Sequence, residues 1–328
     1  MKVIAYSVRP DEEKSFKKHS DAMGVEMTIV HDMLTPDNAA LVKGHDAVTF
    51  LGNDIVNEET LKIIKQQGVT YLSSRAAGTN NIDIDSAKQL GLKVANVARY
   101  SPYAIAEFTL TLAFTMLRNL PRALKRIQAQ NYSLAGLIGE EMRFQTVGVI
   151  GTGRIGLTTA QIFSGVCKRV IAHDIYENPE AKDFLEYVEF DELLKEADII
   201  ALHCPYTKEN HHLINAEKLA LMKQDALLVN TARGELVDTS ALIDVLKTGK
   251  IKGYAGDVYE KEVGIVHRDH TNSIIPDPMF LGLINMPNVL FTPHYAFYTD
   301  VAVDNMVEYA LQNLRQFYNG EPCDNEIV

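Results

Sequence analysis

A glycine-rich turn between a strand-like and a helix-like segment is the sequence feature that most constrains the fold. The turn reads Gly151-Thr-Gly153-Arg-Ile-Gly156, after the apolar run 146–150 and before helix-spaced apolar residues in 157–163. Alone, a GxGxxG pattern is a weak signal. In this context it is typical of a strand–turn–helix unit whose glycines allow a tight turn, close approach to a pyrophosphate and close packing of helix on strand. The sequence therefore predicts a dinucleotide-binding unit that begins in mid-chain.

The next predicted strand ends at an acidic residue suited to binding a ribose. Asp174 follows the run 169–173 and lies 174 − 156 = 18 residues after Gly156, close to the spacing of about 20 in such units. Its carboxylate would accept a hydrogen bond from a ribose 2′-hydroxyl and repel a 2′-phosphate. The next residues, Ile175, Tyr176 and Glu177, supply no cation. The sequence therefore predicts NAD rather than NADP as the cofactor.

Apolar runs of strand length alternate with helix-spaced patterns along the chain. The predicted strands are 2–8, 26–30, 46–51, 70–73 and 93–97, then 146–150, 169–173, 198–203, 226–230, 253–258 and 289–292. Helical patterns occupy 12–23, 37–42, 58–65 and 84–90. This alternation is typical of parallel strands joined by helical crossovers, so we predict an α/β fold.

Two apolar stripes at helical spacing flank the dinucleotide-binding unit. The first begins at Ser101-Pro102, a favourable helix start, and runs to residue 120; the second spans 303–317 and stops at Gly320. The length of 328 residues also exceeds that of most single cores. We predict two open parallel-sheet domains, with a Rossmann NAD-binding domain at 100–295 inserted in a flavodoxin-like substrate domain formed by 1–99 and 296–328.

Charge and cysteine content exclude several classes of protein. The net charge of −11 disfavours binding to nucleic acid or to an anionic membrane surface. No apolar run reaches the roughly 18 residues of a membrane helix, and 1–9 is expected to be a strand rather than a signal peptide. Three widely separated cysteines do not suit a disulfide framework, so a reducing cytoplasm is the expected location.

Three polar motifs, at 230–238, 257–262 and 292–298, follow predicted strands, where open α/β sheets bind their ligands. They supply the guanidinium of Arg233, several carboxylates including Glu262, and the imidazole of His294. An arginine binds a carboxylate through paired N–H donors. A histidine can give a proton to a carbonyl oxygen as hydride reaches carbon, and a glutamate can hold the imidazole protonated. The set suits reduction of an α-keto acid.

The remaining histidines and cysteines do not predict another centre. His267 and His270 are spaced as on one helical face, but Gly264 and the surrounding charges indicate a loop. Because no cysteine pair with ligand spacing accompanies them, no metal site is predicted. Cys204 has no visible partner that would stabilise a thiolate, so packing against the nucleotide is the better interpretation.

Six stretches together make the chain resemble the D-specific 2-hydroxyacid dehydrogenase family, especially its D-lactate and D-hydroxyisocaproate dehydrogenases. These stretches are 74–83, 100–107, 146–156, 230–238, 253–262 and 292–299. The resemblance covers essentially the whole chain. It implies that Arg233, Glu262 (rather than Glu260) and His294 are the catalytic residues.

The resemblance also assigns residues to the cofactor and to the substrate. It places Arg154 and Ile155 at the pyrophosphate and Asp174 at the ribose. It implies that further residues lie against the nucleotide or flank the nicotinamide: Cys204, Pro205, Asn210, Thr231, Ala232 and Asp257, the last at the carboxamide. Ala77 and Gly78 would offer backbone N–H groups to the substrate carboxylate, and Tyr100 and Tyr298 would form walls of the substrate pocket.

The expected activity is that of an NAD-dependent D-lactate dehydrogenase, which interconverts pyruvate or a close 2-keto acid with the D-hydroxy acid. Two departures from the family pattern bear on the preferred acid. Tyr103 stands where many relatives have Asn. The segment 50–53 lacks the aromatic residue that lines the substrate pocket of typical D-lactate enzymes, and Gly52 leaves room for a longer substrate side chain.

Two alternatives remain open. One is a dehydrogenase for bulkier 2-keto acids, of the hydroxyisocaproate, phenyllactate or 2-hydroxyglutarate type. The other is an NAD(H)-sensing binding protein like the corepressors of the same superfamily, which the presence of the arginine, glutamate and histidine disfavours. The resemblance further implies a homodimer formed through the nucleotide-binding domains, with 101–120 and the segment after it at the interface.

Overall fold

The computed structural model describes all 328 residues, which divide into two compact units. Met1–Ser101 and Tyr298–Val328 form the first unit, and Pro102–Phe297 forms the second. Numbered along the chain, the strands are β1 Lys2–Ala5, β2 Glu26–Ile29, β3 Ala47–Phe50, β4 Tyr71–Ser74, β5 Lys93–Ala95, β6 Thr146–Ile150, β7 Arg169–His173, β8 Glu186–Tyr187, β9 Ile199–Leu202, β10 Leu227–Asn230, β11 Gly253–Gly256 and β12 Val289–Phe291.

Helices precede or follow nearly every strand. They are α1 Glu13–Met23, α2 Glu58–Gln66, α3 Ile84–Gln89, α4 Pro102–Leu117, α5 Leu120–Gln128, α6 Arg154–Ser164, α7 Phe190–Glu196, α8 Ala216–Leu221, α9 Thr239–Thr248, α10 Pro278–Ile284 and α11 Asp300–Asn319. Short 3-10 turns complete the connections. No helix combines the length and the apolar character needed to cross a bilayer.

The first unit is built on a five-stranded parallel sheet in the order β2-β1-β3-β4-β5. Alternate residues of a strand point to opposite faces, and β1 illustrates the result. Val3 and Ala5 pack with residues of α1 and α11, whereas Ile4 packs with residues of α2. The sheet therefore has helices on both faces, in the strand order of flavodoxin-like folds.

The second unit contains a seven-stranded parallel sheet in the order β12-β11-β10-β9-β6-β7-β8. From β6 onward this is the 3-2-1-4-5-6 order of a dinucleotide-binding fold with one more strand at its β12 edge. The strand order reverses where β6 and β9 lie side by side, and the glycine-rich turn follows β6. The two parallel α/β sheets confirm the predicted fold class.

Two local expectations were wrong. Strand β8, at the edge of the seven-stranded sheet, has only two residues and was not predicted. The apolar stripe that begins at Pro102 was expected to continue to residue 120, but α4 ends at Leu117. Asn119 adopts a left-handed conformation (φ 50°), which separates α4 from α5, the helix that starts at Leu120.

Candidate active site

The glycine-rich turn brings the end of β6 into close contact with the end of β9. Gly151 has φ 92°, and a Cβ on it would lie 2.4 Å from the backbone nitrogen of Cys204. A Cβ on Gly156 would lie 1.8 Å from the carbonyl oxygen of Gly151. Gly153, the N-cap of α6, has open space on its Cα. Gly151 and Gly156 therefore allow the close packing that the motif predicts, and Gly153 leaves space for a ligand to approach the backbone.

The N-terminus of α6 has no side-chain cap, so its first N–H groups, including those of Arg154 and Ile155, face solvent or a ligand. A helix N-terminus of this kind binds anions through free N–H groups and the helix dipole. The open Gly153 and the uncapped helix fit a bound pyrophosphate.

Asp174 lies at the end of β7, beside the glycine-rich turn. One oxygen, Oδ2, accepts hydrogen bonds from the backbone N–H and the hydroxyl of Thr152, and Oδ1 accepts one from the N–H of Tyr176 at 3.0 Å. Burial would raise the pKa of Asp174, but these hydrogen bonds outweigh it and hold the pKa below its usual value. The side chain is therefore a carboxylate at neutral pH.

His203, at the end of β9, carries no signal in the sequence that would mark it as a site residue. Burial lowers its pKa to about 3, so its imidazole is neutral. Its Nε2 is buried and has no hydrogen-bond partner in the chain. Its Cβ lies beside Gly156, so the residue adjoins the glycine-rich turn. A buried polar atom of this kind is expected to have a partner, which a bound dinucleotide can provide.

The segment after β9 contains three predicted cofactor residues. Asn210 accepts a hydrogen bond from the N–H of Thr207 at 2.7 Å and donates one to the carbonyl of Pro205 at 2.7 Å. These bonds fix the backbone just after Cys204. Burial raises the pKa of Cys204 to about 11, so the residue is a neutral thiol that can pack against a ligand but is a poor nucleophile.

The imidazole of His294 and the carboxylate of Glu262 form a direct pair. Nδ1 of His294 lies 2.7 Å from Oε1 of Glu262, and both side chains are about one-third exposed or less. Burial would raise the pKa of Glu262, but the hydrogen bond and charge of His294, the N–H of Tyr259 and the charge of Arg233 together lower it. Because a carboxylate only accepts hydrogen bonds, Nδ1 must carry the hydrogen, which leaves Nε2 to exchange a proton.

The backbone of His294 is held in an uncommon conformation by Asp257. His294 has φ 53°, in the left-handed region that costs free energy in a non-glycine residue. Asp257, buried at the end of β11, accepts hydrogen bonds from the hydroxyl of Thr292 and from the N–H groups of Tyr295 (3.1 Å) and Ala296 (2.8 Å). Asp257 therefore fixes the backbone on both sides of His294. The contact of Asp257 with the nicotinamide carboxamide stays a prediction.

A second imidazole supports the same segment. Nε2 of His267 lies 2.9 Å from the carbonyl oxygen of His294, and the two rings have centroids 5.9 Å apart. The carbonyl oxygen can only accept, so His267 is the donor. The spacing of His267 and His270 suggests only a possible metal ligand pair, and the place of His267 beside His294 cannot be inferred from the loop that contains it.

Arg233 reaches this region because a glycine follows it. A Cβ on Gly234 would lie 2.0 Å from the backbone of Tyr259, so only glycine lets the turn after β10 pack on the turn after β11. One guanidinium nitrogen of Arg233, Nη1, donates to the carbonyl of Ala232 at 2.7 Å. The positive charge of Arg233 contributes to the low pKa of Glu262. The structure therefore brings together Arg233, Glu262 and His294 within the second unit.

Thr231 and Ala232 lie immediately after β10. The hydroxyls of Thr231 and Thr109, on α4, are 2.8 Å apart. The N–H of Ala232 donates to the side chain of Asn230 at 3.0 Å. These hydrogen bonds hold the backbone that follows β10 against α4 and against Asn230.

The predicted substrate residues lie in the first unit. Ala77 and Gly78 follow β4, and neither N–H donates a backbone hydrogen bond within the unit, so both are available to a ligand. The hydroxyl of Tyr298 donates to Asp11, and the guanidinium of Arg9 lies 4.3 Å from its ring centroid. Burial and the bond to Asp11 raise the pKa of Tyr298 to about 12. The carbonyl of Tyr100 accepts from Asn305 at 2.7 Å.

The histidines that could have suggested a metal are engaged in other interactions. His211 and His212 stack with ring centroids 3.9 Å apart, and His212 lies 3.0 Å from a carboxylate oxygen of Glu260. Ring nitrogens of His270 lie 3.0 Å from the hydroxyl of Ser273 and 3.1 Å from the carbonyl of Ile265.

The second unit has the features of a dinucleotide-dependent enzyme. Its parallel sheet has the 3-2-1-4-5-6 strand order, the glycine-rich turn lies where that order reverses, and Asp174 follows β7. The model of the D-isomer specific 2-hydroxyacid dehydrogenase, NAD binding domain, matches residues 110–296. The chain belongs to this family, as the sequence predicted, and its cofactor is NAD.

Relatives of the whole chain support the same family. An aromatic 2-oxoacid reductase of Clostridium sporogenes is 49% identical over 100% of this chain and 99% of its own length. A D-lactate dehydrogenase of Lactobacillus delbrueckii subsp. bulgaricus is 44% identical over 99% of this chain and 98% of its own. Among solved structures, a D-lactate dehydrogenase from Treponema pallidum matches with a TM-score of 0.93 and 36% identity, covering 100% of both chains.

Proposed function

We propose that this enzyme reduces 2-keto acids to D-2-hydroxy acids, with Arg233, Glu262 and His294 as its catalytic residues. The observation that carries the proposal is the 2.7 Å hydrogen bond between Glu262 and Nδ1 of His294. NADH supplies the hydride that adds to the keto carbon. The chain has to supply a proton for the keto oxygen, a cation for the substrate carboxylate and a fixed arrangement of both.

His294 supplies the proton from Nε2. Glu262 remains ionised at neutral pH, so it orients the ring through Nδ1–H and stabilises the positive charge of the protonated ring. When Nε2 gives its proton to the keto oxygen, the imidazole becomes neutral and Glu262 still fixes its tautomer. In the reverse direction, the neutral imidazole takes the proton from the hydroxyl of the D-hydroxy acid.

Arg233 binds the substrate carboxylate and polarises the neighbouring keto group. One of its N–H groups is already held by the carbonyl of Ala232, which limits the motion of the planar group. The remaining donors suit a paired interaction with a carboxylate. In the first unit, the N–H groups of Ala77 and Gly78 make no backbone hydrogen bond, and we propose that they too bind a substrate carboxylate.

We further propose that Asp174 accepts a hydrogen bond from the adenosine ribose, and that this discriminates against NADPH. Its oxygens already accept three hydrogen bonds from Thr152 and Tyr176, so its carboxylate is fixed in place. A 2′-phosphate would bring a second negative charge against it.

The preferred substrate is proposed to have an aromatic or other bulky side chain. Gly52 lies just after β3, and a Cβ on it would be only 3.3 Å from the Cβ of Ala76. Ala76 directly precedes Ala77 and Gly78, so any side chain at 52 would occupy space beside the proposed carboxylate-binding loop. The 49% identity to the reductase named for aromatic 2-oxoacids, compared with 44% to a D-lactate dehydrogenase, points the same way.

A panel of 2-keto acids tests this preference. With NADH, kcat/KM for phenylpyruvate is expected to exceed that for pyruvate by about 10- to 200-fold, because each well-accommodated increment of apolar side chain contributes about 1–3 kcal/mol. Pyruvate, 2-oxoisocaproate and 2-oxoglutarate complete the panel, and each acid is assayed with NADH and NADPH. Gly52→Val should lower kcat/KM for phenylpyruvate more than for pyruvate, since the added side chain fills the space beside Ala76.

The other outcomes of the panel distinguish the alternatives. A higher kcat/KM for pyruvate in the unaltered enzyme would identify a D-lactate dehydrogenase. A preference for 2-oxoglutarate would require an additional cation near the substrate. NADH that binds but is oxidised with none of the acids would favour a binding protein of the corepressor type.

We also propose that the enzyme is a homodimer, formed through α5 and the segment that follows it. No residue of α5 is buried, although its sequence is amphipathic. Apolar residues of α5 and of the segment after it are exposed: Leu120, Leu124, Ile127, Leu134 and Ile138. Apolar surface of this kind is typical of an interface.

The three free cysteines suit a reducing compartment, for which we propose the cytoplasm.

Substitution of the apolar side of α5 tests the dimer. The variant Leu124→Glu/Ile127→Glu is expected to elute and scatter light as the 36.6 kDa monomer, because two carboxylates would be buried without partners in each copy. Leu41→Glu is the matched control, since Leu41 is 56% exposed and Leu124 is 54% exposed. An unaltered enzyme that is already monomeric, or a double variant that stays dimeric, would contradict the proposal.

A further inference from the structure

The strand that the sequence did not reveal, β8, carries a tyrosine that is linked to the cofactor site. Tyr187 pairs with Ala172 of β7, and its ring packs against the apolar cluster on one side of the sheet. Its hydroxyl lies 2.9 Å from the hydroxyl of Thr152, in the glycine-rich turn. Tyr187 thus connects the edge of the sheet to the turn that follows β6.

The hydrogen bonds of this connection all run in one direction, from Asn178 through Tyr187 and Thr152 to Asp174. Asp174 is ionised, so its Oδ2 only accepts, and the hydroxyl of Thr152 must donate to it at 3.1 Å. The single hydrogen of Thr152 is then used, and Tyr187 must be the donor to Thr152. The N–H of Asn178 completes the chain by donating to the hydroxyl of Tyr187 at 3.0 Å. Hydrogen bonds arranged in series in this way polarise and strengthen one another.

Thr152 is the central member of the chain because it donates twice to Asp174. Its backbone N–H and its hydroxyl both reach Oδ2, and the residue is only 6% exposed. Thr152 therefore occupies both lone pairs of Oδ2, while the N–H of Tyr176 donates to Oδ1. The hydroxyl of Tyr187 donates to the same Thr152 hydroxyl that reaches Oδ2, so it favours the Thr152 rotamer that contacts the carboxylate.

We propose that Tyr187 is a positioning residue for the cofactor, which through Thr152 holds the Asp174 carboxylate in the orientation that binds the ribose of NAD and excludes NADP. The inference rests on the proposed role of Asp174 at the ribose. Tyr187 itself is not proposed to touch substrate or reacting atoms. Its effect should therefore appear in cofactor affinity and selectivity, and not in the chemical step.

The variant Tyr187→Phe removes the hydroxyl and keeps the packed ring. Loss of one buried hydrogen bond is expected to weaken NADH binding about fivefold, measured by fluorescence titration without substrate. The KM for NADH should rise by the same factor, while kcat and the KM for the keto acid stay within twofold, as expected of a group that acts on ground-state binding. The ratio of kcat/KM for NADH to that for NADPH should fall, because the carboxylate is less strictly held.

Tyr309→Phe is the matched control. Tyr309 is also partly buried, lies on α11 in the first unit, and its hydroxyl makes no hydrogen bond in the structure. This variant should retain the NADH affinity, the KM values and the cofactor ratio of the unaltered enzyme. A second variant, Thr152→Val, removes the middle hydroxyl, and its effect combined with Tyr187→Phe should be smaller than the product of the two separate effects.

The results separate this inference from the proposed function. If Asp174→Asn leaves NADH affinity and the cofactor ratio unchanged, the proposed ribose contact is wrong. If Asp174→Asn alters both but Tyr187→Phe alters neither, the ribose contact stands and the positioning role of Tyr187 is wrong. A Tyr187→Phe enzyme that only unfolds at lower temperature, with unchanged NADH affinity and selectivity, would also overturn the inference.

Discussion

His294→Ala is expected to lower kcat for 2-keto acid reduction by about 10²- to 10⁴-fold, equivalent to about 3–5 kcal/mol in the barrier, while NADH binding is retained. The variant removes the only imidazole paired with Glu262, so the keto oxygen has to take its proton from water. Stopped-flow mixing of enzyme and NADH with phenylpyruvate measures the loss, and fluorescence titration measures NADH affinity separately.

Two further variants make the His294 result specific. His270→Ala removes another imidazole of the same unit, one whose ring nitrogens lie near Ser273 and Ile265, and it should leave kcat nearly unchanged. Glu262→Gln keeps an acceptor for Nδ1–H but loses the negative charge, so its kcat should fall between that of His294→Ala and the unaltered enzyme. Near-normal turnover in His294→Ala would end the assignment of His294 as the proton donor.

The fold could be predicted largely because inner parallel strands are buried on both faces. Such strands are continuous apolar runs, and the predicted limits of β6 and β7 match the structure. The edge strand β8 has two residues and pairs only with Ile171 and Ala172, and Glu186 interrupts the apolar residues around it. It forms because β7 offers a free edge for pairing, and this depends on the folded sheet and not on the local sequence. The break at Asn119 likewise depends on one residue in a left-handed conformation and not on the apolar pattern.

The candidate site was predictable to a lesser degree, and for a related reason. Residues that follow neighbouring parallel strands meet at one edge of the sheet, so the motifs after β10, β11 and β12 could be associated from their positions alone. The hydrogen bonds of Asp257 with the N–H groups of Tyr295 and Ala296 could not, because they depend on where a loop backbone lies. His203 was missed because a histidine at the end of a strand has no distinctive pattern until its burial and its unpaired Nε2 are known.

Arg233→Ala is expected to impair both binding and reduction of the keto acid. Truncating one partner of a hydrogen-bonded charge pair costs about 2–5 kcal/mol, so kcat/KM should fall roughly 30- to 4000-fold. Both kinetic constants should change, because the arginine binds the carboxylate in the ground state and polarises the keto group during reduction. Saturation curves for phenylpyruvate at fixed NADH give the two constants.

Arg233→Lys separates the charge of Arg233 from its geometry. Lysine retains the positive charge but lacks the planar pair of donors, so it should recover only part of the lost kcat/KM. The melting temperature should change little in either variant, since the guanidinium makes a single hydrogen bond of its own, to Ala232. If phenylpyruvate saturated the alanine variant with an unchanged KM, the substrate carboxylate would have to be bound elsewhere, and the N–H groups of Ala77 and Gly78 would be the next candidates to test.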